Sequence, residues 1–115
     1  MKYVRIYCDD AGDSHFEDVS VKLSPVDYAP PAPPLNLAAP IDSERTILFS
    51  VPAGWVGDWH PSPRRQFYIQ LSGEVEVWKF SAGSIILVED TSGRGHVTRN
   101  LGNSEVNAVF VQLSK

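Results

Sequence analysis

Residues 54–73 read GWVGDWHPSPRRQFYIQLSG, and their second half sets the architecture. From Gln66 to Leu71 the side chains alternate, with Phe67, Ile69 and Leu71 on one face and Gln66, Tyr68 and Gln70 on the other. Successive side chains of an extended chain point to opposite faces, so this is a strand with one apolar face and one polar-aromatic face able to line a pocket. The first half follows the loop Pro52-Ala53-Gly54 and carries His60 ahead of that strand.

The same alternation and turn chemistry recur on both sides. Downstream, Ser72-Gly73 turns the chain into a strand over residues 75–80, and Ser81-Ala82-Gly83 turns it again into one over 85–88. The loop 90–95 then delivers His96 ahead of a brief strand over 97–99, while residues 105–113 are apolar on both faces and suit a buried final strand. Upstream, β-prone runs occupy residues 3–8, 19–23 and 46–51, the first ended by the turn residues Asp9-Asp10-Ala11-Gly12. No segment keeps helical periodicity beyond a turn or two. Seven or eight short strands with Gly- and Pro-rich turns predict an all-β fold, a β-sandwich or β-barrel of jelly-roll type.

Between residues 25 and 40 lie six of the nine prolines, so backbone donors are missing and φ is fixed at many positions. Neither a helix nor a central strand can form there. With Tyr28, Leu35 and Leu37 as apolar anchors, the stretch is expected to run extended across the barrel surface or against a partner subunit.

Length and composition set further bounds. At 115 residues with 43% hydrophobic content, the chain can build one core and has no room for a second. Ten Lys and Arg against fourteen Asp and Glu give a formal charge of −4, which argues against a phosphate-neutralising surface for nucleic acid. Cys8 is alone, so neither an intramolecular disulfide nor a Cys-based zinc cluster can form, and a cytoplasmic setting is expected. No run approaches the ~18 apolar residues of a membrane span, and the first residues lack the pattern of a secretory signal, so no membrane partner is expected.

The spacing of Gly54, His60, Gln66 and Gly73 resembles the first motif of the cupin superfamily, G-x5-H-x-H-x3,4-E-x6-G, with Ser62 in place of the second His and Gln66 in place of the Glu. Gly93-x2-His96-x3-Asn100 is similar to the end of the second cupin motif. Its start departs from the pattern: Gly83 lies two residues too far from His96, and Thr91 stands where Pro is usual. The resemblance covers about residues 45–113 and implies a cupin barrel over 41–115, with residues 1–40 as N-terminal strands and a Pro-rich arm packed on the barrel or on a partner. In metal-binding cupins the two motifs supply three His and one Glu to a first-row metal. Carried over residue by residue, His60, Gln66 and His96 take three of those places and Ser62 the fourth. One divalent transition metal, Zn, Fe, Ni or Mn, is the implied cofactor, held more weakly than by the full motif because an amide oxygen is a poorer donor than a carboxylate. His15 and Asp58 are further residues that could join the set.

Without a metal, the two imidazoles would hydrogen-bond a ligand or water, and either could act as acid or base near neutral pH. Arg64 and Arg94 flank the two His in sequence and could clamp an anionic head group, while Trp59 and Tyr68 could wall the pocket. Ser72 and Ser92 sit in no nucleophile-elbow context, and no phosphate-binding glycine loop is present. The expected function is binding of a small, anionic organic molecule in the barrel, either by a metal-dependent lyase, isomerase or dioxygenase or by a non-catalytic ligand-binding or sensory module. Exposed edge strands and the arm predict a homodimer.

Overall fold

In the computed structural model, residues 1–76 and 80–114 are described, and every regular element among them is a β-strand. The chain opens with a hairpin of β1 (Lys2–Cys8) and β2 (Ser14–Ser20). Its turn is built by Asp9, whose Oδ1 accepts the backbone N–H of Ala11 and Asp13, and by Gly12 at φ 87°, where a side chain would be strained. The expected second strand over 19–23 is displaced to an earlier start and an earlier end. Pairing follows the tight turn back to Ser14, and β1 begins at Lys2 opposite Ser20, so residues beyond Val21 have no partner on β1.

The proline-rich stretch pairs with itself. Two three-residue strands, β3 (Ser24–Val26) and β4 (Leu35–Leu37), form a small antiparallel hairpin whose Val26, Tyr28 and Leu35 stay exposed. The stretch thus folds back on itself rather than running extended along its length, with Leu37 half-buried. The radius of gyration, 15.7 Å, exceeds the roughly 13 Å of a compact chain of this length.

The remaining strands make two layers. In chain order they are β5 (Ser43–Val51), β6 (Val56–His60), β7 (Gln66–Gln70), β8 (Glu74–Val75), β9 (Phe80–Ser81), β10 (Ile85–Val88), β11 (His96–Arg99) and β12 (Val106–Leu113). Six strands form one sheet in the order β2-β1-β10-β7-β12-β5. β1 joins it parallel to β10, with Val4 opposite Ile86, and the other neighbours run antiparallel. Facing it are the ladders β11-β6 and β8-β9, linked by a bridge between Glu76 and Arg99.

Two expectations change in this second layer. The loop before residue 66 contains a strand, β6, which Gly57 and the flanking turns hid from a periodicity reading. The single strand expected over 75–80 is replaced by a reversal, because Val75 pairs antiparallel with Phe80; residues 77–79 lie outside the described residues. The reversal buries both Val75 and Phe80 in one core with Ile6, Ile86, Val88, Val51 and Val106 from the larger sheet and its margins. Burial of such side chains contributes about 1.5–3 kcal/mol each, and here it holds the two layers together.

Candidate functional site

The β6–β11 ladder puts His60 opposite His96, with ring centroids 4.8 Å apart. Gly95 makes this approach possible: at φ 74° it is in the left-handed region, and a Cβ there would collide with the carbonyl of His60. The residue before His96 must therefore be glycine for the two strands to meet.

Each imidazole is fixed through its Nδ1. That of His96 donates to Asp90 Oδ2 at 2.6 Å, and Ser14 Oγ donates to the same oxygen at 2.8 Å. Asp90 is 0% exposed, and its Oδ1 has no partner among the described residues. The Nδ1 of His60 donates to the backbone carbonyl of Asp58. In both rings Nε2 is the nitrogen left over.

Between the layers, lined in part by both rings, lies a partly open cavity of about 150 Å³. The large sheet contributes apolar walls from Ile6, Phe49, Ile86 and Phe110, β9 contributes Phe80, and the residue before β6 contributes Trp55. Its polar lining residues besides the imidazoles are Ser62, Gln66, Tyr68 and Thr98. Gln66 is buried, with Oε1 accepting from Gln112 Nε2 at 3.3 Å and Nε2 directed at Ser62 Oγ, 3.5 Å away. Ser62 Oγ in turn donates to the carbonyl of Arg64 at 2.7 Å. Tyr68 also lines the cavity; its hydroxyl donates to the fully buried Gln70, and burial pushes its pKa up to about 12.

Of the residues singled out in the sequence, His60, Gln66, His96, Ser62 and Tyr68 are brought together. Arg64, Arg94 and Trp59 do not line the cavity. Arg64 turns to Glu44 and to the carbonyl of Leu113, and Arg94 pairs with Asp13. A guanidinium gains more from a carboxylate at the surface than from an apolar cavity that would strip its hydration. Trp59 is 69% exposed and shares an outer groove with Arg94, on the other side of His96 from the cavity. Arg65 pairs with Glu89, as does Arg5; burial raises the Glu89 carboxyl, but these two hydrogen bonds outweigh it and hold the group below its ordinary value. His15 pairs with Asp9, and the Asp58 carboxylate accepts its neighbour Trp59 N–H.

The donor set can be compared with the metal that the motif implies. Two imidazoles offer Nε2, but the Gln66 amide is engaged with Gln112 and Ser62, and the Ser62 hydroxyl proton goes to Arg64. Among the described residues no group of three His, Cys, Asp or Glu converges on one point. Two neutral nitrogens without a facing carboxylate give a divalent cation neither the ligand number nor the charge compensation of a resident site, so the residues present do not fit a centre of the full type. Asp90 is the site residue that the sequence reading missed. An Asp in a Gly-rich loop carries the same signal whether it forms a turn or backs a histidine six positions on. No protein-family model matches this chain, and no curated protein matches it in sequence.

Proposed function

We propose that this chain is a small cupin-like binding protein, its two layers arranged as a jelly roll, which holds a small organic molecule between the sheets with the molecule's polar head against His60 and His96. One observation carries the reading: a largely apolar cavity of about 150 Å³ lined by two imidazoles whose rings stand 4.8 Å apart. A cavity of that size accepts a body about as large as benzene. The arginines expected to recognise an anion point elsewhere, so the head group is met by imidazole instead. Binding without chemistry is favoured over a metal-dependent lyase, isomerase or dioxygenase, because Gln66 and Ser62 are already committed to protein partners.

The same reading takes the protein as a homodimer. β5 is an edge strand of the six-stranded sheet, Leu48 on it is 78% exposed, and the arm displays Tyr28 and Leu35. Unpaired strand edges and clustered apolar side chains favour association. The formal charge of −4 supports a small-molecule partner over nucleic acid, and no helix of the described residues is long and apolar enough to cross a membrane.

Thermal unfolding with benzene-sized and hexose-sized compounds, alongside metal analysis of the purified protein, tests the proposal. Benzene-sized compounds at about 100 times Kd should stabilise the fold by about 2.7 kcal/mol, with no effect from hexoses. Stabilisation by neither class would leave a structural dimer with a vestigial pocket in its place, and stoichiometric Zn, Fe, Ni or Mn would replace it with the metal-dependent enzyme.

A further inference from the structure

We infer that the cavity selects a ligand whose head group donates a hydrogen bond, a phenolic hydroxyl being the chemistry that fits; this rests on the cavity-binding reading above. The ring nitrogens carry the argument. The backbone carbonyl of Asp58 can only accept, so the His60 Nδ1 that meets it bears hydrogen. The Asp90 oxygen that meets His96 Nδ1 already receives the Ser14 hydroxyl, which orders it as an acceptor for the imidazole as well. With the proton on Nδ1, a neutral imidazole presents a lone pair at Nε2. Two such acceptors stand on rings 4.8 Å apart, near enough for one head group to meet both.

The neighbouring hydroxyls reinforce this polarity. Ser62 donates its hydroxyl hydrogen to the Arg64 carbonyl and Tyr68 its own to Gln70, so neither hydroxyl has a hydrogen left for a ligand. The apolar walls set the rest of the molecule, an aromatic ring of benzene size. A hydrocarbon or ether of equal bulk fills the walls but leaves two desolvated nitrogens without a donor, and a carboxylate anion brings lone pairs against lone pairs. Leaving such acceptors unpaired should weaken binding roughly tenfold to a hundredfold.

Calorimetric titration of the full chain at mildly alkaline pH with phenol, anisole, toluene and benzoate separates the possibilities. Phenol should bind at least about tenfold more tightly than each of the other three. If none of the four binds, the cavity-binding reading itself falls. If toluene or anisole matches phenol, or benzoate exceeds it, the cavity stands and the donor requirement falls. Asp90→Asn supplies an amide that can donate to His96 Nδ1, releasing the opposite tautomer, and His96→Gln places a donor directly at the site. In either folded variant the preference for phenol over anisole should shrink, and an undiminished preference would overturn the assignment of the proton.

Discussion

Asp90, buried in the loop after β10, receives the Nδ1–H of His96 at 2.6 Å and so determines which nitrogen of that ring is left for the cavity. The carboxylate touches no part of the cavity itself, yet the chemistry offered there depends on it. A histidine whose second nitrogen is free to rotate between partners would offer a mixture of donor and acceptor, and recognition would blur.

Removing that carboxylate should be costly. Asp90→Ala leaves His96 Nδ1 and Ser14 Oγ without their shared acceptor, and loss of a buried acceptor of two hydrogen bonds should cost about 3 kcal/mol. Ser14→Ala removes only one neutral donor and should cost about 1–2 kcal/mol. Urea unfolding of the two variants checks the order; equal losses would mean that the His96 bond contributes nothing.

Gly95→Ala should act at a distance from any ligand. The new Cβ collides with the His60 carbonyl at a positive φ, so the β6–β11 ladder must part. We expect a loss of about 2–4 kcal/mol together with weakened ligand binding, measured by denaturant titration and calorimetry. Wild-type stability in this variant would show that the two strands are not held as closely as described.

Ser62→His with Gln66→Glu tests the relation to the metal-binding motif. Both positions line the cavity beside His60 and His96, so the double variant assembles three imidazoles and a carboxylate there. Affinity for Zn or Ni should rise by about two orders of magnitude or more, with release of protons on binding. A folded double variant that binds these ions no better than wild type would remove the resemblance of this site to a cupin centre.

Acid should destabilise the protein partly through Glu89. Although burial opposes ionisation, the hydrogen bonds from Arg5 and Arg65 hold its folded pKa below the ordinary carboxylate value. The unfolded chain therefore takes up its proton first, and the stability that Glu89 contributes is present above the unfolded pKa and lost as pH falls through the folded one. Unfolding measured across that acid range should show a shallower decline in Glu89→Gln than in wild type. Parallel declines would rule out this carboxylate as a source.

The arm gives a test of assembly. Excising residues 24–37 removes the β3–β4 hairpin while leaving β1 in place beside β10. Sedimentation should show a dimeric wild type and a shift of the shortened chain toward monomer. A wild type that sediments as a monomer at micromolar concentration would eliminate the homodimer, and a shortened chain that stays dimeric would transfer the interface to β5.

Local pattern determined much of this protein. The alternation of residues 66–71 marks β7 with Gln66 and Tyr68 toward the cavity, the apolar run at 105–113 marks β12 in the sheet interior, and the Asp9–Gly12 turn closes the first hairpin. These features are legible because side-chain period and turn geometry are properties of consecutive residues. Motif spacing pairs His60 with His96, and the two face each other across one ladder. What only the tertiary structure decided is which groups meet across long separations in the chain. Val75 and Phe80 fold back on each other and the prolines pair within their own hairpin. Arg64 and Arg94 turn outward to Glu44 and Asp13, and Asp90 rather than any cavity residue sets the face of His96. Each of these is a choice between hydrogen-bond partners of equal local merit, and it is settled by burial and charge contributed from elsewhere in the chain, which no window of consecutive residues contains.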